Sequence, residues 1–311
     1  MNTTSEFVGL QRNLHGGESM GFPGNGKASR NGKGGRRSVL MRASLAVFHK
    51  FFGRRFFLGA TERGEKSMRW FVGMDDTDVV GAPQGTGKVA RFFGGALPEG
   101  WRCLGVVRQQ LLVDPRIPYT SHNSAMCFAA DIDGGDLDAV IRHCAAVLER
   151  EQAEGSDPGL CVAVVDSITE PRALIDFGLD ATRKVLTKKE AYALAGRLGI
   201  HLSEHGGTGG GIIGALAGTG LRLYGNNGRF KGWLPFADGE RDTTAGALLR
   251  RPEIDDIRTL ERPGPGPNGR IVLQEKVKTV LLDGMSVLLV KGRPGEPGVW
   301  ENLSRDEIRK F

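Results

Sequence analysis

The sequence predicts a mixed α/β fold of the α+β kind, on three observations. From Met68 onward, short apolar runs rich in β-branched and aromatic residues alternate with longer stretches in which apolar side chains recur at helical spacing. Gly- and Pro-rich segments punctuate these runs at turn-like positions. At 311 residues, 40% hydrophobic and 25% charged, the chain is long enough for about two cores.

Taken in order, RWFVGM (69–74) is a short strand, and WRCLGVVRQQLLV (101–113) and SAMCFAADI (124–132) are two more. Residues 137–154 carry apolar side chains at helical spacing and close a first lobe, residues 68–154. GSDPG (155–159) is a turn by its Asp-Pro-Gly chemistry, and LCVAVVD (160–166) is a buried strand. Two helices fit residues 170–186 and 187–199, the second opening on Thr187 with Glu190 three residues later, a capping box. GGTGGGIIGALAGTG (206–220) is a glycine loop running into a small-residue helix, within a second domain spanning 155–262. RPGPGPNG (262–269) reads as a linker, and residues 270–292 as a β meander in a small C-terminal region, 263–311.

The net charge of +6 is unevenly placed. Residues 1–67 hold 12 Lys or Arg against four Glu, a net of +8, which leaves −2 for residues 68–311. Global basicity therefore gives no argument for nucleic acid. The leader is Gly-rich, polar and without hydrophobic period, so it is expected to be disordered, with Met68 the natural start and the preceding codons an over-extended reading frame. Its apolar patch, 39–57, is interrupted by five basic residues and cannot supply the roughly 20 apolar residues of a membrane span. Cys103, Cys127, Cys144 and Cys161 form no C-x-x-C pair, which argues against a zinc site, and with no signal pattern a reducing cytoplasm is expected.

Three constellations carry chemistry. Asp75, Asp76 and Asp78 follow directly on a strand, where α/β folds place ligand-binding side chains. Their mutual repulsion is relieved if Mg²⁺ shares their oxygens, one or two carboxylates plus substrate phosphates being the usual arrangement; the alternative is a solvated acidic turn. GTGK (85–88) then offers the unshielded N–H groups of Gly85 and Gly87, the Thr86 hydroxyl and the Lys88 ammonium, the parts of a phosphate cradle without full Walker A spacing. The second constellation, held extended by Pro115 and Pro118, presents Thr120, Ser121, His122 and Asn123 as candidate substrate contacts, or as an ordinary polar loop. In the third, Gly209, Gly210 and Gly211 open a helix whose free N–H groups can take an anion. The G-x-G-x-x-G match there is a weak dinucleotide signal, and His205 is either a ligand contact or a loop histidine.

VGMDDTD followed by GTGK, then DPRIPYTSHNSA, SDPGLCVAVVD and GGGIIGALAGTG, in this order, resembles the archaeal tRNA agmatidine synthetase family over residues 68–224, about half of the chain. Those enzymes use ATP to activate a cytidine of an isoleucine tRNA and ligate agmatine to it. The resemblance implies a kinase-like domain followed by a ferredoxin-like domain, with Asp75, Asp76 and Asp78 as metal and phosphate carboxylates and Thr86 near the family's phosphorylated threonine. The family's zinc ribbon needs four ligands, and this chain has no Cys after Cys161. The expectation is thus a relative that keeps the catalytic core and changes the acceptor, with no selective grip on tRNA. Two function classes follow: an ATP- and Mg²⁺-dependent phosphotransferase or ligase, with Lys88 or Arg108 on the phosphate and an RNA or small amine as acceptor, or a non-catalytic nucleotide- or RNA-binding protein of the same fold.

Overall fold

The computed structural model describes residues 67–311 except Ala96, Ser121, Arg262 and Pro263; the expectations for the leader up to residue 66 lie outside the described residues. Strand β1 (Ser67–Asp75) is the axis of the fold. β2 (Trp101–Gln110) and β3 (Ser124–Asp133) follow on one side of it, β3 pairing antiparallel with both β1 and β2. On the other side β4 (Gly159–Val164) pairs with β1, and β5 (His201–Glu204) with β4. β1 is covered on both faces, which is why it reads as a continuous apolar run rather than an alternation.

Alternate residues of β1 enter different cores. Trp70, Val72 and Met74 pack with buried side chains of α1 (Thr86–Gly95) and α2 (Leu137–Glu151). Phe71 packs on the opposite face with α3 (Pro171–Ala181), α4 (Lys188–Leu198) and α5 (Gly211–Tyr224). Helix α5 is buried nearly all round, and its small residues let it lie directly on the sheet: a Cβ at Gly73 would overlap the Ala215 carbonyl, and one at Gly214 would overlap the Asp75 carboxylate. The capping box at Thr187 and Glu190 forms as its sequence predicts. α2 stops at Glu151 rather than reaching residue 154, because the Ala153 N–H turns away to the Thr77 carbonyl at 2.9 Å and ties the helix end to the aspartate loop.

β6 (Arg229–Phe230) continues the sheet from β2 into the C-terminal part of the chain. There follow β7 (Asp242–Thr244), α6 (Ala245–Leu248), β8 (Asp256–Arg258), β9 (Arg270–Val272), β10 (Val280–Leu282), β11 (Met285–Gly292), β12 (Val299–Asn302) and α7 (Arg305–Ile308). The expected meander over 270–292 is realised only as the β10–β11 hairpin, whose Asp283-Gly284 turn has positive φ at both residues. β9 pairs instead with β12 and β7, because the backbone between β9 and β10 is claimed elsewhere: Asn302 Oδ1 accepts the Gln274 N–H at 2.7 Å, and Leu234 N–H donates to Val277 O. Strand pairing also crosses both chain divisions read from the sequence: β1 with β4 across Gly155, and β7 with β9 across the Gly/Pro linker.

Candidate active site at the carboxyl end of the central strand

Asp75 is the last residue of β1, and Asp76 turns the chain with a φ of 55°, a conformation uncommon outside glycine. The Asp76 N–H donates to Asp75 Oδ1 at 2.9 Å. Asp78 is held differently, its two oxygens accepting the Thr86 hydroxyl at 3.0 Å and the Thr120 hydroxyl at 3.2 Å. Burial pushes the Asp75 carboxyl up to about 7, against the lowering effect of its bond from Asp76. Asp76 is pushed up to about 6, first by burial and then by the neighbouring charges of Asp157 and Asp78. Both carboxylates are therefore more readily protonated than a free aspartate, and a positive charge beside them would favour their ionised form.

Asp157, in the segment read as a plain turn, holds the glycine loop. Its carboxylate accepts the Thr208 hydroxyl and the Gly209 N–H, and the Gly210 N–H at 3.1 Å, while its carbonyl takes the Gly211 N–H at 3.2 Å. This corrects the expectation of an open anion site there: the N–H groups of Gly209, Gly210 and Gly211 are already bound within the chain. Nothing local in GSDPG signals this, since its partners lie some fifty residues away.

These groups line a cleft of about 370 Å³. Asp75, Asp76, Asp78 and Asp157 contribute acid, Gly85, Gly87, Gly210 and Gly211 contribute bare backbone, and Arg108 and Lys231 contribute positive charge. Arg108 Nε donates to Ser124 Oγ at 3.0 Å, and neither cation has a carboxylate partner among the described residues. Lys231 Nζ sits so close to Gly87 that a Cβ there would overlap it. It occupies the place expected of Lys88, which is exposed and outside the lining. The reason is helical phase: Thr86, Val89, Ala90 and Phe93 form the buried face of α1, which turns Lys88 outward.

Of the second constellation, Thr120 and His122 line the cleft, and Ser121 lies outside the described residues. Burial, followed by the charges of Arg108, Arg229 and Arg309, lowers the His122 pKa. Asn123 reaches the lining but is buried, its Nδ2 donating to the Leu112 carbonyl at 2.6 Å, so it serves the loop's structure. His205 is not brought to the cleft; its ring nitrogens face Ser203 Oγ at 2.8 Å and Glu149 at 3.5 Å.

Among the described residues no group of three or more His, Cys, Asp or Glu is placed to hold a metal ion. The three aspartates thus do not form a cage by themselves, because Asp78 is turned to the two threonine hydroxyls. The oxygen-only donors Asp75 and Asp76 remain suited to a hard cation completed by substrate oxygens.

No family model matches the chain, and no curated protein matches it. Among solved structures it is similar to a complex of TiaS with an isoleucine tRNA and ATP, at 27% identity and a TM-score of 0.43 over 49% of this chain and 36% of that one. It is also similar to apo TiaS, a tRNA agmatidine synthetase, at 25% identity and a TM-score of 0.41 over 49% and 35% of the two chains. A complex of TiaS with the same tRNA, AMPCPP and agmatine is matched at 23% identity and a TM-score of 0.42, over 58% and 44%. The chain spans less than half the length of these structures, and at such TM-scores the likeness carries no residue roles to it.

No helix of the described residues is long and apolar enough to cross a membrane. The four cysteines are free, and burial pushes Cys127, Cys144 and Cys161 up to about 12, so these three are core thiols rather than nucleophiles.

Proposed function

We propose that the protein is an ATP- and Mg²⁺-dependent phosphotransferase or ligase working in this cleft. The observation that carries the reading is the cleft's polarity: Asp75 and Asp76, both driven toward protonation, face the same space as Arg108 and Lys231, cations without a carboxylate partner among the described residues. A metal-bound polyphosphate matches both halves, its cation meeting the carboxylates and its oxygens the guanidinium and ammonium. The order of motifs resembling the tRNA agmatidine synthetases supports the same chemistry.

Asp75 and Asp76 would hold Mg²⁺, which when bound offsets charge on phosphate oxygens. Arg108 and Lys231 orient the phosphates, and Gly85 and Gly87 let them approach the backbone. The paired hydroxyls on Asp78 fix the loop rather than coordinate, so Thr86 acts through Asp78. Incubating the protein with labelled ATP and Mg²⁺, with and without small RNA, tests the reading by where label goes. Transfer that disappears in Asp76→Asn supports it; an Asp76→Asn variant that binds Mg²⁺-ATP as tightly as the parent overturns it.

A further inference from the structure

Beside the cleft lies a second pocket of about 410 Å³ whose lining shares Arg108, His122 and Lys231 with it. Arg108, Arg229, Lys231, Lys278, Arg305 and Arg309 line it, and no Asp or Glu of the described residues does. Arg309 pairs with the exposed Asp306 at 3.3 Å; the other five have no carboxylate partner among the described residues. Two of them are direct cross-strand neighbours, Arg108 on β2 opposite Arg229 on β6, an arrangement that disfavours the sheet unless something offsets the charge. Lys278 lies 4.4 Å from the ring of Trp233, which also lines the pocket and is 45% exposed. Burial and like charge press Lys278 down to about 8, and lower Arg229 and Lys231 as well.

Four half-buried and two exposed cations, brought together without acids of the described residues, are a receptor for anions, and an exposed indole among them adds a platform for a planar ring. We propose that this pocket binds nucleotide phosphates, with the base at Trp233, and that it rejects a cationic amine. The same chemistry is offered by an RNA strand and by a free nucleotide. Of the two acceptors expected from the sequence, an RNA or a small amine, the pocket favours the RNA, because a diamine entering here would meet like charge. Phosphate binding stands on the pocket alone; its service as the acceptor site rests on reading the adjoining cleft as the Mg²⁺-ATP site, since Arg108 and Lys231 face both.

The test uses the full chain, without ATP or Mg²⁺, and a fluorescein-labelled hexauridylate followed by anisotropy. Bound RNA should weaken with salt, at about 0.7 in log–log slope for each phosphate held. Arg305→Gln, an exposed change on α7, should weaken binding several-fold and flatten that slope by about 0.7. Arg229→Gln/Lys278→Gln should weaken it by at least ten-fold, and Trp233→Ala by about ten-fold. Once the variants have placed the probe in the pocket by weakening its binding, unlabelled UDP that displaces it identifies a free nucleotide as sufficient, and displacement by unlabelled hexauridylate alone identifies an RNA strand. Binding unchanged in all three variants, which would locate the RNA on the basic leader, overturns the proposal, as does calorimetric binding of 1,4-diaminobutane to the RNA-free protein that the double variant abolishes. Should the double variant misfold, the Arg305 and Trp233 changes decide alone. Mg²⁺-ATP binding is measured separately: its absence in a parent that binds hexauridylate removes the transfer reading and leaves the pocket.

Discussion

Replacing Asp157 by Ala takes one side chain from beneath the glycine loop, and its cost can be worked from the bonds it breaks. The Gly209 N–H is buried and loses a charged acceptor, keeping only its bond to the Gly206 carbonyl at 3.2 Å. The Gly210 N–H is half-buried and recovers part of its loss from water, and the exposed Thr208 hydroxyl recovers most of it. A bond to a charged acceptor contributes roughly 1.5–3 kcal/mol, and a carboxylate at a helix N-terminus adds about 0.5–1 kcal/mol. With solvent recovery, Asp157→Ala should cost about 3 kcal/mol, a large share of a typical stability of about 5–15 kcal/mol. Asp157→Asn, which keeps one acceptor oxygen, should cost about half as much. Urea denaturation followed by far-ultraviolet circular dichroism measures this. With a slope near 3 kcal/mol/M, the Ala midpoint should fall by about 1 M with the slope unchanged. A midpoint within about 0.2 M of the parent would show that the loop's N–H groups do not depend on Asp157, and would restore the open anion site read from the sequence.

Asp75 sets a pH dependence. Its folded pKa of about 7 lies above the ordinary 3.8, so its destabilising effect is absent below about pH 4, grows through pH 4–7 and is complete above 7. At 1.36 kcal/mol per unit this amounts to at most about 4 kcal/mol. Asp75→Asn, whose carbonyl oxygen still accepts the Asp76 N–H, should therefore raise the stability of the ligand-free protein at pH 8 and flatten its pH profile while abolishing Mg²⁺-ATP binding; a destabilised variant at pH 8 contradicts this. Lys231→Met should weaken Mg²⁺-ATP binding by at least about ten-fold, as loss of a charge on phosphate does, whereas exposed Lys88→Met should change it less than about two-fold; calorimetric titration showing the reverse order would return the phosphate contact to Lys88. Gly214→Ala should destabilise strongly, by about 2–4 kcal/mol in thermal or urea melts, because its Cβ would overlap the Asp75 carboxylate; a neutral effect would mean that α5 does not seat on β1 as described.

Local chemistry was enough for much of this protein. The strand at β1, the buried β4, the capped α4, the small-residue α5 and the aspartates at a strand end follow from periodicity, capping and turn residues, each set within a few neighbours along the chain. What the sequence could not decide was which distant groups meet. Asp157 looks like a turn residue until the fold sets the Gly209 N–H against it, and Lys231 is one more charge until β6 carries it beside Gly87. Lys88 faces away from the cleft because the phase of α1 depends on which face finds the core. The net of −2 over residues 68–311 conceals the basic pocket for the same reason: composition sums charge over the chain, whereas strand pairing sets Arg108 opposite Arg229 and the fold gathers them with Lys231 and Lys278. Local preference acts over one turn or one strand, while a site is assembled by contacts among groups far apart in sequence, and only tertiary packing specifies those.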